Sequence, residues 1–445
     1  MIRLGRRRRW AWSVAALAVG LASIAARAQA PAPTGAELQP FQRFSLTPGM
    51  QIETAAYLQG DSWFGQSKAN IGAVSTNWAE AVVTPSFDWR YRAPGPSSFY
   101  GRLSAIAAYT AGIDAAGSDA GASHTYDLEL EDGYVGWRSG DLFANALGKN
   151  AIDISFGRRK YQVGSGFLFW KESNNGASRA AEGIAPRKAA RFAAEGNLST
   201  HGWNVEAIYL DFNDRPSTNT KVAGTTVSYT SGAWGVMGFG AYKVLSSDRT
   251  NRDGMVVLDV RADLHPLPGL RGLRLGGEYV HESNPGRLDT DAGFVGIGYD
   301  FADAPWKPSI GYRRAIFRGD NPNTARSEAY DPFSLGISNW GSPLVGKYAK
   351  SNSDLRADTL RVIFQPLPRL TLTTELYKMD LDQTLMPTGK RDYADEEDLT
   401  VEWEATRRLK LSLTGALAQP KAAARQITGG GQPWSYLALD ARWAY

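Results

Sequence analysis

Apolar and polar residues alternate one by one along most of this chain. Near residue 440 the apolar side of the alternation holds Leu437, Leu439, Ala441, Trp443 and Tyr445. The opposite side includes Asp440 and Arg442, and the same pattern runs through residues 80–92, 398–404 and 408–417. A period of two residues is that of a β-strand with one apolar face, since successive side chains point to opposite sides. The sequence therefore predicts an all-β chain whose strands each face an apolar medium on one side.

About 18 segments carry this pattern, and their length of roughly 7–15 residues suits tilted, membrane-spanning strands. Gly-rich sequence leaves the facing of two of them, 225–231 and 233–245, ambiguous. The full set lies near residues 51–60, 80–92, 98–112, 125–137, 150–161, 188–199, 202–213, 225–231, 233–245, 254–264, 272–282, 292–301, 307–318, 356–366, 369–380, 396–406, 408–418 and 434–445.

The connections between these segments alternate between long and short. The long ones lie near 61–79, 162–187, 319–355, 381–395 and 419–433. Transmembrane barrels have long external loops and short periplasmic turns, whereas a soluble β-sandwich has no reason to alternate its loop lengths. An even strand count returns the last strand to the periplasm, and an aromatic last residue such as Tyr445 is common in outer-membrane barrels. The predicted fold class is a transmembrane antiparallel β-barrel of about 18 strands.

Residues 1–30 have the layout of a secretory signal peptide. A run of Arg precedes the apolar stretch from Trp10 to Ala26, and an A-x-A cleavage site ends at Ala30. We expect residues 31–49 to form a periplasmic tether and residues 50–445 to form the barrel. After the signal peptide there is no apolar run long enough for a transmembrane helix. The expected location is the outer membrane of a Gram-negative bacterium, in contact with its lipid.

Composition excludes several other functions. Cleavage after Ala30 would remove six Arg and no acid, which leaves 43 basic against 45 acidic residues and argues against a nucleic-acid partner. The chain has no Cys, its 4 His residues show no metal-ligand spacing, and it has no Gly-rich phosphate loop. We therefore expect no cofactor, no metal and no covalent chemistry.

Arginine is the main basic residue expected to face the barrel lumen. A guanidinium meets a carboxylate through two parallel hydrogen bonds, and a basic ring in a low-dielectric wall selects anions. The alternative is that these side chains pair with lumen carboxylates for solvation and rigidity, as in any large barrel. The candidate pore-lining and substrate-binding residues are Arg90, Arg92, Arg102, Arg159, Arg191, Arg274, Arg313, Arg361 and Arg442, and Arg261 lies on the same face.

Two regions resemble the alginate-export family of outer-membrane proteins. They are Phe156-Gly157-Arg158-Arg159 followed by Val163-Gly164-Ser165-Gly166, and the stretch from Gly319 to Leu355 with its Ser338-Asn339-Trp340-Gly341 step. The resemblance implies a monomeric, anion-selective channel with an Arg-rich constriction, to which Arg159, Arg313 and Arg361 would belong. It also implies passive transport of an anionic polysaccharide or of small anionic solutes, with periplasmic export components as partners.

Other functions stay open beside this one: a general diffusion porin, an adhesin or anchor, and a lipid hydrolase. The segment from His281 to Asn284 resembles the His-x-Ser-Asn segment of outer-membrane phospholipase, where the imidazole activates the hydroxyl of a Ser such as Ser283. The third member there, an Asn on the next strand, is replaced by Val295, so we expect no enzyme. The loop 162–187 either folds into the lumen and narrows it or stays on the surface.

Overall fold

The structure, a computed structural model, is an 18-stranded antiparallel sheet closed into a barrel. Each strand pairs with its neighbour along the chain, and the first strand pairs with the last. The predicted fold class and strand number are therefore confirmed. The predicted signal peptide and most of the predicted tether lie outside the described residues. Those residues are 43–67, 76–93, 95–113, 124–170, 180–181, 183–184, 189–213, 218–267, 269–332, 343–384 and 389–445.

The strands follow one another with few other elements between them. The first nine are β1 (Phe44–Gly60), β2 (Thr76–Arg92), β3 (Ser98–Gly112), β4 (His124–Arg138), β5 (Ile152–Lys160), β6 (Ala189–Thr200), β7 (Trp203–Asp211), β8 (Lys221–Ser231) and β9 (Gly235–Ser246). The second nine are β10 (Val256–Leu264), β11 (Leu273–Asn284), β12 (Leu288–Asp300), β13 (Ser309–Phe317), β14 (Leu355–Leu367), β15 (Leu370–Asp380), β16 (Asp392–Trp403), β17 (Leu409–Pro420) and β18 (Trp434–Ala444). Strand β1 begins at Phe44, so residues 44–49 belong to a strand rather than to the predicted tether.

Each strand sets its apolar side chains outward. On β18 the outward Leu439 is 55% exposed, whereas its inward neighbour Ala438 is 8% exposed. Outward residues near the middle of other strands, such as Leu413 and Val295, are also exposed and apolar. A hydrocarbon environment suits such a wall, and a closed sheet leaves no unpaired backbone edge within it. The wall therefore spans a membrane, and the lumen collects the polar side chains.

The two ends of the barrel differ. The connections 161–188 and 318–354 lie at one end, and turns such as 201–202 lie at the other. Outward-facing Trp203 and Trp403 sit at the short-turn end, where an aromatic girdle meets the lipid headgroups. We therefore assign the short-turn end to the periplasm and the long-loop end to the outside.

Short local elements pack at the external end. They are a left-handed turn (Ser62–Gly65), a π-helix (Val345–Ala349) and the helix α1 (Ala422–Thr428). The rings of Trp63 and Trp434 lie 5.3 Å apart, and the buried indole of Trp434 donates a 3.1 Å hydrogen bond to Gln59 Oε1. None of the helices in the described part of the chain is both long enough and apolar enough to cross a membrane.

Candidate solute pathway inside the barrel

The loop 161–188, called L3 below, turns into the lumen. The buried ring of Phe167 stacks on Phe317 at a centroid distance of 5.3 Å and lies 5.5 Å from Phe294. The ring of Phe169 lies 4.8 Å from Tyr242. These partners belong to the inward faces of β13, β12 and β9. L3 leaves from β5, so this part of the loop crosses the lumen to a distant part of the wall.

A second part of L3 lies against the strands on the other side of its origin. The backbone N–H of Ala181 donates to Thr110 Oγ1 at 2.6 Å on β3. The N–H groups of Gly183 and Ile184 donate to Glu80 Oε2 on β2 at 2.9 and 3.1 Å. L3 thus reaches both the β2–β3 wall and the β9–β13 wall. Of the two expectations for this loop, the described part shows the inward one.

The loop 318–354, called L7 below, adds to this inward packing. The ring of Tyr330 lies 5.8 Å from Phe317 and 6.4 Å from Phe167. Burial raises the pKa of the Tyr330 hydroxyl well above its usual value, so the ring stays neutral in this apolar cluster. L3 and L7 therefore share one set of aromatic contacts inside the barrel.

A cavity of about 560 Å³ lies on the periplasmic side of L3. Gly164 and Ser165 of L3 border it on one side, and the strands from β10 to β15 form its wall. Inward-facing glycines leave part of this wall without side chains: Gly276, Gly296, Gly298 and Gly311. A Cβ built on any of the four meets no atom closer than 3.4 Å. These glycines therefore leave open space in the lumen rather than satisfying a backbone requirement.

Three of the predicted site residues come together at this cavity: Arg274, Arg313 and Arg361. Arg274 Nη2 lies 2.6 Å from Asp300 Oδ1, and Arg361 Nε lies 3.5 Å from Glu375 Oε1. Arg313 stands between them in the sheet, opposite Gly296 on β12 and Thr359 on β14. The cavity wall thus carries guanidinium groups on β11, β13 and β14, next to the glycine surface.

Glu278 and Arg261 border the same cavity close to L3. Glu278 Oε2 accepts a 3.1 Å hydrogen bond from Ser165 Oγ, which joins the loop to β11. Arg261 Nη1 lies 2.6 Å from Asp259 Oδ2 on β10. Both carboxyl groups are buried. The contact between Glu278 and L3 was not predicted from the sequence; the apolar run Phe167-Leu168-Phe169 within a long loop was the signal that could have indicated an inward loop.

The other predicted arginines face the lumen away from this cavity. Arg90 and Arg92 are exposed at the periplasmic end of β2. Four others are paired with carboxylates, namely Arg102 with Asp88 and Asp132, Arg159 with Glu195, Arg191 with Asp211, and Arg442 with Glu53. This pairing is the alternative role considered for the set. The nine residues are therefore divided between the cavity, separate ion pairs along the wall and the exposed periplasmic end of β2.

A second cavity, of about 360 Å³, lies on the β1–β4 side of the lumen and borders Ile184 of L3. Its bases are balanced by neighbouring acids. Arg102 Nη1 lies 2.9 Å from Asp88 Oδ2, and Lys160 Nζ lies 3.8 Å from Glu131 Oε1. The described residues that line it include two bases and three acids, whereas those that line the cavity beside Arg313 include four arginines and three acids. The cavity beside Arg313 is therefore the better candidate for an anion.

The residues of the hydrolase alternative lie on the outer wall. His281 and Ser283 face outward from β11, in the same direction as the exposed Tyr279. The imidazole Nδ1 of His281 lies 3.0 Å from Asp291 Oδ1 on β12, so a carboxylate engages this ring. In the part of the chain that the structure describes, no group of His, Asp and Glu residues is arranged to hold a metal ion.

No protein-family model and no curated protein matches this chain. Solved structures from Pseudomonas aeruginosa do match. OpdQ has a TM-score of 0.58 at 11% identity, over 90% of this chain and 97% of that chain. OccK2 (OpdF) in complex with glucuronate has a TM-score of 0.55 at 13% identity, over 90% and 98%. OpdK with vanillate has a TM-score of 0.53 at 10% identity, over 89% and 98%.

These similarities agree with the closed barrel and define its class by fold. The chain is a closed 18-stranded outer-membrane β-barrel with the fold of these Opd and Occ structures. Even-stranded antiparallel barrels with an apolar outer band belong to the outer membrane of Gram-negative bacteria. The matched structures bear Opd and Occ names, so they do not single out the alginate-export family.

Proposed function

We propose that this barrel passes small anionic solutes passively across the outer membrane, through the cavity beneath L3. The observation that carries the proposal is the group of Arg274, Arg313 and Arg361 around that cavity. A guanidinium offers a planar fork of donors that matches a carboxylate, and a basic constriction in a low-dielectric wall favours anions.

The size of the cavity supports a small solute. Its volume of about 560 Å³ is within the range of sites that hold small molecules. L3 also crosses the lumen directly above it, at Gly164 and Ser165. Two of the similar structures contain small carboxylates, glucuronate in OccK2 and vanillate in OpdK. A carboxylate carried on a small ring would meet both the arginines and the glycine surface here.

The alginate-export resemblance implies a more specific function, which is polysaccharide export with periplasmic export components as partners. The resembling residues Val163 to Gly166 belong to L3, and those from Gly319 to Leu355 belong to L7 and the start of β14. A polyuronate chain displays the same carboxylate as a single uronate, so the arginines would serve either cargo. A general diffusion porin, in contrast, requires no anion preference.

Single-channel recording of the refolded protein in a planar bilayer tests the proposal. We expect a reversal potential of anion-selective sign under a salt gradient and a current reduced by added glucuronate. Arg313→Ala should weaken both effects. Arg314→Ala is the matched control, because Arg314 is the next residue on β13, faces outward and lies 3.4 Å from Asp358.

The outcomes separate the candidate functions. Block by glucuronate alone supports the small-solute channel, whereas stronger block by a polyuronate supports polysaccharide export. Conductance without ion preference or block would show a general diffusion porin. If Arg313→Ala and Arg314→Ala change the reversal potential and the block equally, the cavity is not the cause of anion selectivity.

A further inference from the structure

Three buried glutamates on the inner wall contact the inward loops on the external side of the cavity. They are Glu80 on β2, Glu282 on β11 and Glu396 on β16, with exposed fractions of 4%, 0% and 1%. Each accepts a hydrogen bond from a backbone N–H of L3 or L7. A carboxylate buried in a wall is costly unless such donors satisfy it, so these contacts are strongly favoured.

Glu80 holds the 180–184 part of L3. Its Oε2 accepts from the N–H groups of Gly183 and Ile184 at 2.9 and 3.1 Å, and its Oε1 accepts from Trp78 Nε1 at 2.9 Å. A Cβ on Gly183 would collide with the hydroxyl of Tyr57. A residue without a side chain therefore allows the loop backbone to approach this carboxylate closely.

Glu396 holds L7 in the same way. Its Oε1 accepts from the N–H of Leu344 at 3.2 Å, and its Oε2 accepts from the N–H of Val345 at 3.0 Å. Leu344 and Val345 are themselves buried, and the π-helix begins at Val345. The carboxylate thus fixes the point at which L7 turns inside the barrel.

Glu282 makes a third contact of this kind. Its Oε2 accepts from the N–H of Asp331 of L7 at 2.9 Å. The side chain of Asp331 pairs in turn with Arg252, whose Nη2 lies 2.5 Å from its Oδ1. L7 is therefore held at two separate points, one on β11 and one on β16.

We propose that Glu80 and Glu396 are positioning residues that set the largest solute the channel admits. They hold residues 183–184 of L3 and residues 344–345 of L7 against the inner wall, and so limit how far the two loops can move within the lumen. This inference rests on the proposed function in one respect, namely that solutes pass through the lumen. It adds that size selection comes from the loop contacts, whereas charge selection comes from the arginines.

Glu80→Gln and Glu396→Gln, alone and combined, test this inference. An amide keeps the shape of the side chain but replaces one accepting oxygen with an NH2 group that faces the N–H donors. We expect the fraction of time in an open, higher-conductance state to rise about tenfold, the scale of one lost charge-assisted hydrogen bond. Uronate dimers and trimers that the unmodified channel excludes should then pass in liposome-swelling assays.

Glu402→Gln is the matched control. Glu402 is an inward glutamate on the same strand as Glu396, and its Oε1 lies 2.5 Å from Lys410 Nζ on β17 rather than near L3 or L7. We expect this variant to keep the original size limit. If it shifts that limit as much as Glu396→Gln does, the effect is one of general lumen charge and the inference is wrong.

A second pair of variants guards against failed folding. Ile184→Pro and Val345→Pro each remove one of the two loop N–H groups that donate to the glutamate, and leave the barrel strands unchanged. We expect the same rise in size limit as in the glutamate variants. Folded variants that keep the original conductance and size limit would overturn the inference. The reversal potential tests the arginines separately from the size limit. A channel with a raised size limit but no anion preference would contradict the proposed function and leave this inference intact.

Discussion

Ser165 Oγ donates a 3.1 Å hydrogen bond to Glu278 Oε2, and so joins the middle of a loop to the wall of the barrel. The two residues are 113 positions apart in the sequence. They meet at the edge of the cavity, directly beside Arg261. The cavity is therefore shaped by a loop that comes from β5 as much as by the strands that surround it.

Phe167→Ala should loosen L3. The ring is buried between Phe294 and Phe317, so its removal leaves a void and should destabilise the loop packing by about 3–5 kcal/mol. We expect noisier single-channel current and a lower temperature of unfolding in detergent. A quiet current of unchanged size would show that Phe167 does not fix the loop.

Gly296→Phe should obstruct the cavity. A Cβ at this position meets no atom closer than 3.4 Å, so the ring can enter the open space without distorting β12. We expect conductance to fall by more than about half, with the barrel still folded. Gly415→Phe is the control, because Gly415 faces outward on β17 and a Cβ there meets nothing within 4 Å. Equal conductance in the two variants would exclude this cavity as the pathway.

Glu375→Gln should strengthen anion selectivity. Its carboxylate lies 3.5 Å from Arg361 Nε, and removing that charge leaves the guanidinium available to a solute. We expect the anion-to-cation permeability ratio to rise roughly twofold to threefold, the scale of an exposed ion pair. Glu402→Gln, away from the cavity, should shift the reversal potential less. A ratio that stays constant in Glu375→Gln would show that Arg361 does not meet the permeating ion.

Leu413→Arg should destabilise the barrel in lipid, while Thr414→Arg should be tolerated. Leu413 faces outward on β17 opposite Leu439, and Thr414 faces the lumen opposite Ala438. An Arg at the midplane of the lipid face costs about 2–4 kcal/mol, whereas the same side chain in the lumen stays in water. Denaturant unfolding in vesicles measures the difference. Equal stability of the two variants would contradict the assigned faces of this strand.

The strands and their faces could be predicted because they depend on a local pattern. The alternation alone placed Leu439 outward and Arg442 inward on β18, and the structure confirms both. Even the Gly-rich segments 225–231 and 233–245 correspond to strands, β8 and β9. The face on which a side chain lies follows from the two-residue period and from an apolar medium outside the barrel.

The partners of the lumen arginines could not be predicted in the same way. Arg361 and Glu375 meet because β14 and β15 pair in one particular register, which the alternation does not specify. The division of the arginines between the cavity and the wall follows from that register. The path of L3 was also beyond the local pattern, because its anchor Glu80 lies on a strand far from the loop in sequence.

The seam between β1 and β18 has a consequence for how the molecule is made. Across it Arg442 Nη2 binds Glu53 Oε1 at 2.6 Å, and these two residues are 389 positions apart. Strand β1, which is synthesised before the other strands of the barrel, thus pairs with β18, which is synthesised last. Until then β1 keeps an open edge that invites pairing with other chains. Biogenesis must therefore shield this edge until β18 pairs with it, because an unpaired strand edge is costly in lipid.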